Sequence, residues 1–577
     1  MSNRPLRFGV MCDAAGLTEF ARQAIAHVTR DGLAQPVLLI VNEQVAAPSS
    51  WRKKLGKSLR FDGNLWHLHE RLFPLSNLPA YQRQPLEQCL PGVEKLVCAV
   101  TRKGKWSEYF SDADVAAVES RELDFILKFA YGITRGAILK AARYGVWSFH
   151  HDDEEKYRGG PPAFWEIQRG DHVTGALLQR LTDRLDGGVV LHKCFVATDP
   201  RSYRANLQRI QSCSWHLVRW ACLDLLHGHQ ETFTGPPSAT MAPIYRAPND
   251  WQMLRFGLRI AGNWIRYKLA NQRIDEWNVG LVEAPQQAFL NPDFAPAIRW
   301  LPYQEPGQMI ADPFLLPVSG EPRILVEEFD WLPEKGRICE LRGAKERMTI
   351  TPVIDEGLHM SYPYVFVHEG ATYAIPECAE SCQVRLYRLD ESLGTWSRVA
   401  ILLDGLQAVD STVFIHDGRW WMMHSADEGC GPWSLFLWHA PSLLGPWQPH
   451  VANPVKTDVS STRPAGNPFF HAGHWYRPAQ DGRLSYGGAL SINRIDKLTT
   501  EAFRETVVRR IAPDPGGPYP HGIHTLSGQG TLTVVDGKRH TWPLPLLIRR
   551  QLAKRFRWVP TGFRYSKIRP AAPLPLE

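Results

Sequence analysis

ADPFLLPVSGEPRILVEEFD (Ala311–Asp330), SYPYVFVHEGATYAIPE (Ser361–Glu377), DSTVFIHDGRWWMMHSAD (Asp410–Asp427), GNPFFHAGHWYRPAQD (Gly466–Asp481) and GIHTLSGQGTLTVVDGK (Gly522–Lys538) share one pattern. Each runs as a short strand, a glycine-containing turn and a second strand, most of them rich in aromatics. The aligned positions Asp312, Tyr362, Ser411, Asn467 and His524 lie 50, 49, 56 and 57 residues apart. A period near 50 with paired strands in each unit is the signature of a β-propeller blade. Five segments predict five blades. WNVGLVEAP (Trp277–Pro285) supplies a further strand that could help close the ring.

Outward from this half, the texture changes. RFGVMCD (Arg7–Asp13), PVLLIVNE and LDFILKFA (Leu123–Ala130) read as buried strands, with helical spacing in EFARQAIAHVTRDG and ILKAARYG between and after them. Strand alternating with helix predicts an open parallel sheet of the doubly wound, Rossmann type, with ligands at the carboxyl ends of strands. This α/β domain is expected over 1–235. A connector follows at 236–277, where WQMLRFGLRIAGNWIRYKLANQ (Trp251–Gln272) has apolar residues at helical spacing. It reads as a helix packed between the two halves. The propeller is expected at 278–540 and a basic tail at 541–577.

Composition narrows the classes. The 577 residues suggest roughly three to four domain-sized units. Hydrophobic residues at 44% and charged residues at 22% exclude wholesale disorder. No apolar run is long enough for a transmembrane helix, and MSNRPLRFGVMCD lacks the apolar core of a secretory signal, so a cytoplasmic location is expected. Lys+Arg exceed Asp+Glu by 66 − 59 = +7, an excess too modest to predict a nucleic-acid partner. Arg549, Arg550, Lys554, Arg555 and Arg557 cluster in the tail, as a solvated face or a weak membrane-surface contact. Ten cysteines without a CxxC pair argue for reduced core thiols and against a structural metal.

One stretch of the α/β half carries chemistry: VWSFHHDDEEKYRGGPPAFWEIQRGDHVTGALLQRLTDRLDGGVVL (Val146–Leu191). It resembles the formyltransferase family that uses 10-formyltetrahydrofolate. Ser148-Phe149-His150 stands for the family's Asn-x-His, followed by Tyr157-Arg158-Gly159 and Leu185-Asp186-Gly187-Gly188. The resemblance covers about residues 1–230. It implies His150 as the base, Asp186 as its orienting carboxylate and Ser148 as a donor to the oxyanion. Tyr157, Arg158, Gly159 and Phe129 would contact the cofactor, 10-formyltetrahydrofolate. Phe164 and Trp165 would floor the site, and His151 would support it. Two departures stand out. Ser148 replaces an amide donor, and Asp152-Asp153-Glu154-Glu155 replaces an apolar loop beside the place of an anionic folate.

The repeats resemble the five-bladed propellers of glycoside hydrolases of the arabinanase and fructosidase groups. More closely, they are similar to the propeller module of some plant glycosyltransferases that act on inositol phosphorylceramide. Asp312 matches the first-blade carboxylate of the hydrolases, and Asp410 a second. Gly466-Asn467 stands where the family's acid would be, with Glu377 and Glu328 as substitutes or as rim contacts. Arg463, Arg477, Gln480 and His524 are further candidates for a carbohydrate-binding funnel; Trp420 and Trp421 could stack sugars, although aromatic pairs in such strands are more often core. The expected function is transfer of a formyl group to an amine of a sugar or sugar nucleotide, with the propeller binding the carbohydrate or a larger glycan. The rival readings are a decayed transferase scaffold carrying a glycan-binding propeller, and a glycoside-acting propeller enzyme.

Overall fold

The computed structural model describes residues 4–548 apart from 43–63, 105–106, 185–186, 304–306, 318–320, 344–347, 427–428 and 545. The chain forms two compact units, Met1–Ile265 and Arg266–Glu577. The division falls inside one helix, Asp250–Ala270.

The first unit is built on a seven-stranded sheet. Its order is Val189–Ala197, Val173–Arg180, Val146–His150, Phe125–Lys128, Leu6–Asp13, Ala34–Asn42 and Glu94–Cys98. The last five strands are parallel, as the strand–helix alternation predicts. The sheet is not wholly parallel: Val173–Arg180 and Val189–Ala197 add as an antiparallel hairpin at one edge. Apolar runs make the central strands. Phe8, Phe125 and Trp147 stack across three neighbouring strands at 5.1 and 4.0 Å. The helices Glu19–Thr29, Asp112–Glu119 and Tyr203–Ser212 each start on a hydroxyl cap, from Thr18, Ser111 and Ser202.

Among the described residues, the second unit is built of five antiparallel sheets. Four are four-stranded. They comprise Arg299–Trp300, Ile274–Val282, Leu532–Thr541 and Leu526–Gln529; then Gln308–Leu315 to Thr349–Ile354; then Ser361–His368 to Thr395–Asp404; and finally Phe469–His471 to Phe503–Ile511. The sheet Ala408–His416 to Gln448–Pro449 carries a short fifth strand, Lys456–Thr457. The first of these sheets joins the two ends of the unit: Ile274–Val282 pairs with Leu532–Thr541 over nine residues. Inner strands are linked in a ring. The Tyr362 N–H donates to Asp312, the Tyr362 hydroxyl meets Thr412, Gly466 N–H donates to Tyr362, and Leu526 N–H donates to Ala465.

The repeat has one more regularity. Asp312, Tyr362 and Asp410 have φ of 51°, 42° and 56°. Each sits at a register shift: Ala311/Phe314, Ser361/Tyr364 and Val409/Thr412. A bulge at the same place in three successive sheets re-aims one side chain, at the cost of left-handed backbone. The structural equivalent of Asp312 is therefore Asp410, which corrects the alignment on Ser411. No helix among the described residues is long and apolar enough to cross a membrane.

Candidate functional site

In the first unit, strand alternation places Ser148 and His150 on one face and Phe149 on the other. His150 Nε2 lies 3.3 Å from the Tyr157 carbonyl oxygen and 3.9 Å from Asp152 Oδ2. The Ser148 hydroxyl lies 3.4 Å from the Phe149 carbonyl. Tyr157 donates its hydroxyl to Asp171 at 2.8 Å. Arg158 and Gly159 are engaged elsewhere, pairing in parallel with Ile244–Tyr245. Phe129 packs against Phe20 and Phe149. His151 is half-buried against Phe20 and meets Ser214 at 3.2 Å; desolvation of the ring pulls its imidazole down to about 3. Asp186 lies outside the described residues, so its place beside His150 stays an expectation from the resemblance.

The acidic run finds local partners. Lys193 Nζ lies 3.7, 2.9 and 3.1 Å from Asp153, Glu154 and Glu155. Asp152 is buried and accepts from the Ala163 N–H. Close by, Glu166 is 1% exposed. Burial, with Asp171 and Asp153 nearby, pushes its carboxyl up to about 8. This acidic donor set does not fit an anionic folate. Two groups here escaped the sequence reading, Glu166 and Lys128. Lys128 lies in register with Ser148 on the neighbouring strand, and burial pulls its ammonium down to about 8.

The second unit gathers charge at its centre. Arg463 Nε donates to Asp410 at 2.5 Å, and its Nη2 lies 3.7 Å from Glu377. Gln480 also donates to Asp410, at 3.3 Å. On the other side, Thr525 donates to Asp312 at 2.8 Å, and His524 Nε2 lies 3.4 Å from Asp312 Oδ1. His524 Nδ1 lies 2.5 Å from Asp536, whose carboxylate also accepts from the His524 and Thr525 N–H groups. Trp277 covers His524 with ring centroids 4.0 Å apart. The ligand atoms of Asp312, His524 and Asp536 lie within 4.8 Å of one another, a set with the right atoms for a cation.

Electrostatics couple these groups. Burial, opposed by His524 and reinforced by Asp410 and Asp536, lifts the Asp312 carboxyl to about 6. Burial and the charges of Asp312, Glu377 and Asp410 hold Glu327 well above the usual carboxylate range. Glu377 is raised likewise by burial and Asp410, against Arg463. Burial lowers His524, but Asp536 and Asp312 outweigh it and raise the imidazole.

Of the sequence candidates, Asp312, Glu377, Asp410, Arg463 and His524 thus fall within one electrostatically connected centre. Two do not. Glu328 turns away, accepting from Arg337 at 2.8 and 2.6 Å, because neighbours along a strand face opposite ways; Glu327 takes the inward place. Arg477 is buried against Glu505 and the carbonyls of Ser461 and Thr462. Trp420 and Trp421 are core residues. Asp536 and Glu327 were missed. Asp536 lies inside the strand Leu532–Thr541 beside Gly537, and Glu327 differs from Glu328 only by strand parity, so neither carried a local signal.

Comparison with known proteins bears on this centre. Residues 272–515 match the family described as glucosamine inositolphosphorylceramide transferase 1, N-terminal. The glucosamine inositolphosphorylceramide transferase 1 of Oryza sativa subsp. japonica is 31% identical over 255 residues, covering 41% of this chain and 34% of that protein. The chain thus spans about a third of the length of the curated relatives it matches first. A methionyl-tRNA formyltransferase of Prochlorococcus marinus is 34% identical over 77 residues, covering 13% of this chain and 23% of that protein. A family 117 glycoside hydrolase of Zobellia galactanivorans superposes with a TM-score of 0.31 at 12% identity, covering 46% of this chain and 91% of its own. The expectation of formyl transfer from 10-formyltetrahydrofolate is overturned by these matches. The longer ones name a glucosamine inositolphosphorylceramide transferase, and the formyltransferase likeness is a short segment. What the chain resembles at length, over residues 272–515, is the N-terminal part of the glucosamine inositolphosphorylceramide transferases.

Proposed function

We propose that the chain is a carbohydrate-active group transferase whose second unit holds an amino-sugar glycosyl group over the central carboxyls. The observation that carries this is the pairing of two carboxyls that burial pushes toward the protonated form, Glu377 and Glu327, with Asp410 under the Arg463 guanidinium. Cleaving a glycosidic bond needs a protonated acid on the leaving oxygen and a carboxylate facing the developing positive charge on the sugar ring. Glu377 is suited to give the proton. Asp312, with its carboxyl near 6, is ionised at neutral pH and suited to face the ring. The acceptor hydroxyl then returns a proton to Glu377. The excess of carboxyls also suits the ammonium of an amino sugar. The names of the curated relatives, transferases of glucosamine, support this substrate class. His150 takes no part in the step.

A second reading, recognition without turnover, is favoured by the close Arg463–Asp410 ion pair, which already neutralises one carboxylate. One experiment separates the two. The full chain is titrated calorimetrically with glucosamine glycosides and assayed for release from a nitrophenyl glucosaminide. Glu377→Gln and Asp312→Asn are expected to lower turnover about 10²–10⁴-fold, with binding retained for Glu377→Gln. His150→Ala should change neither. Binding without turnover supports recognition alone. Absence of both overturns the proposal.

A further inference from the structure

The helix Asp250–Ala270 is held to the first unit along one side, where Trp264 also donates to the Arg201 carbonyl at 3.2 Å. The Gln252 carbonyl accepts from Gln168, Phe256 stacks on Phe164 at 4.4 Å, and Asn263 donates to the Pro200 carbonyl at 2.7 Å. At 3.6 residues per turn these positions share one side. The opposite side carries Trp251, Leu254, Leu258 and Ile265, with exposures of 68%, 53%, 74% and 60%. Leu269 continues the same seam. Helices that finish a globular surface normally turn such a seam inward. Here Asp250 and Phe256 are the buried residues.

Charge selects the occupant. The helix carries Arg255, Arg259, Arg266 and Lys268, and its single acid is Asp250. That carboxylate is buried and accepts from the Leu65 N–H at 2.8 Å. The outward face therefore presents large apolar groups, Trp251 among them, with cations and no acid from the helix. An apolar seam with tryptophan and flanking basic residues matches the headgroup boundary of an anionic bilayer. A protein partner of ordinary composition would place acids and apolar groups together, but nothing on the helix selects one.

We propose that this face docks the protein flat on an anionic lipid surface, through Trp251, Leu254, Leu258 and Ile265 with Arg255 at the rim. The test is co-sedimentation of the full chain with phosphatidylcholine vesicles, with and without phosphatidylserine. Binding is expected to require phosphatidylserine and to weaken with salt. A Leu254→Glu/Leu258→Glu variant should lose it. Arg255→Glu/Arg266→Glu, which disturbs no buried group, should weaken it about 10-fold or more. Binding unchanged in both variants but lost on Arg549→Glu/Arg550→Glu would place the contact in the tail and overturn the proposal. So would no binding at all, or a concentration-dependent dimer in ultracentrifugation that the leucine variant abolishes.

Discussion

Glu166 and Asp312 show how burial beside other carboxylates gives a side chain properties that its name does not. Glu166 is folded as an acid with its carboxyl near 8, against an ordinary value of 4.5. The sign follows from linkage. The folded state holds its proton more tightly than the unfolded state, so stability falls as pH rises from about 4.5 to about 8 and is lowest above that. Glu166→Gln keeps the shape without the titration. It is expected to raise the melting temperature at pH 8.5 and to flatten the pH dependence between 5 and 8, on the order of a few kcal/mol at most. Calorimetric melts across that range check it; an unchanged slope would mean the carboxyl finds solvent. The residue scale was only partly legible. His150 and Tyr157 were found by motif and do come together. Glu327 was missed because a one-residue choice of strand face is invisible where both neighbours are glutamate.

At the scale of elements, close approach between strands sets the constraints. Gly466 has φ of 130°, and a Cβ there would lie 1.9 Å from the Leu526 carbonyl oxygen. That contact is where the fourth inner segment meets the closing sheet, through the Leu526 N–H to Ala465 bond. Gly466→Ala is expected to destabilise the second unit by about 3 kcal/mol or more, since backbone, not a flexible side chain, must move. Gly473→Ala also has a positive φ of 82° but meets nothing within 4 Å. It should cost about 1 kcal/mol. Urea titrations of the two variants, compared side by side, distinguish crowding from conformational strain. The repeats themselves were readable as elements, because period, glycine turn and aromatic strand are local patterns. The bulge that aims Asp312, Tyr362 and Asp410 was not, since only pairing with a second strand reveals two residues skipped by the ladder.

For the molecule as a whole, closure of the second unit depends on strands about 250 residues apart in sequence, Ile274–Val282 with Leu532–Thr541. A chain ending after Thr525 would strip that pairing and expose Val279 and Leu281, now buried. The expected result is loss of the cooperative transition of the second unit, with fragment 1–265 surviving limited proteolysis. Survival of both units would show that the ring holds without its closing sheet. The sequence by itself determined the two textures, the α/β alternation with parallel strands and the fivefold repeat, since each rests on periodicity within a window of a few tens of residues. It also singled out Asp312, Asp410 and Arg463. It misjudged the activity: a motif of three short matches carries less information than a 244-residue likeness, and Ser148 and the acids around His150 already departed from the motif. Only the tertiary structure decided that Glu377, Asp410, Glu327 and Asp312 share one buried field. Coulomb coupling depends on distance and on the exclusion of water, and both arise when five sheets bring their inner strands together.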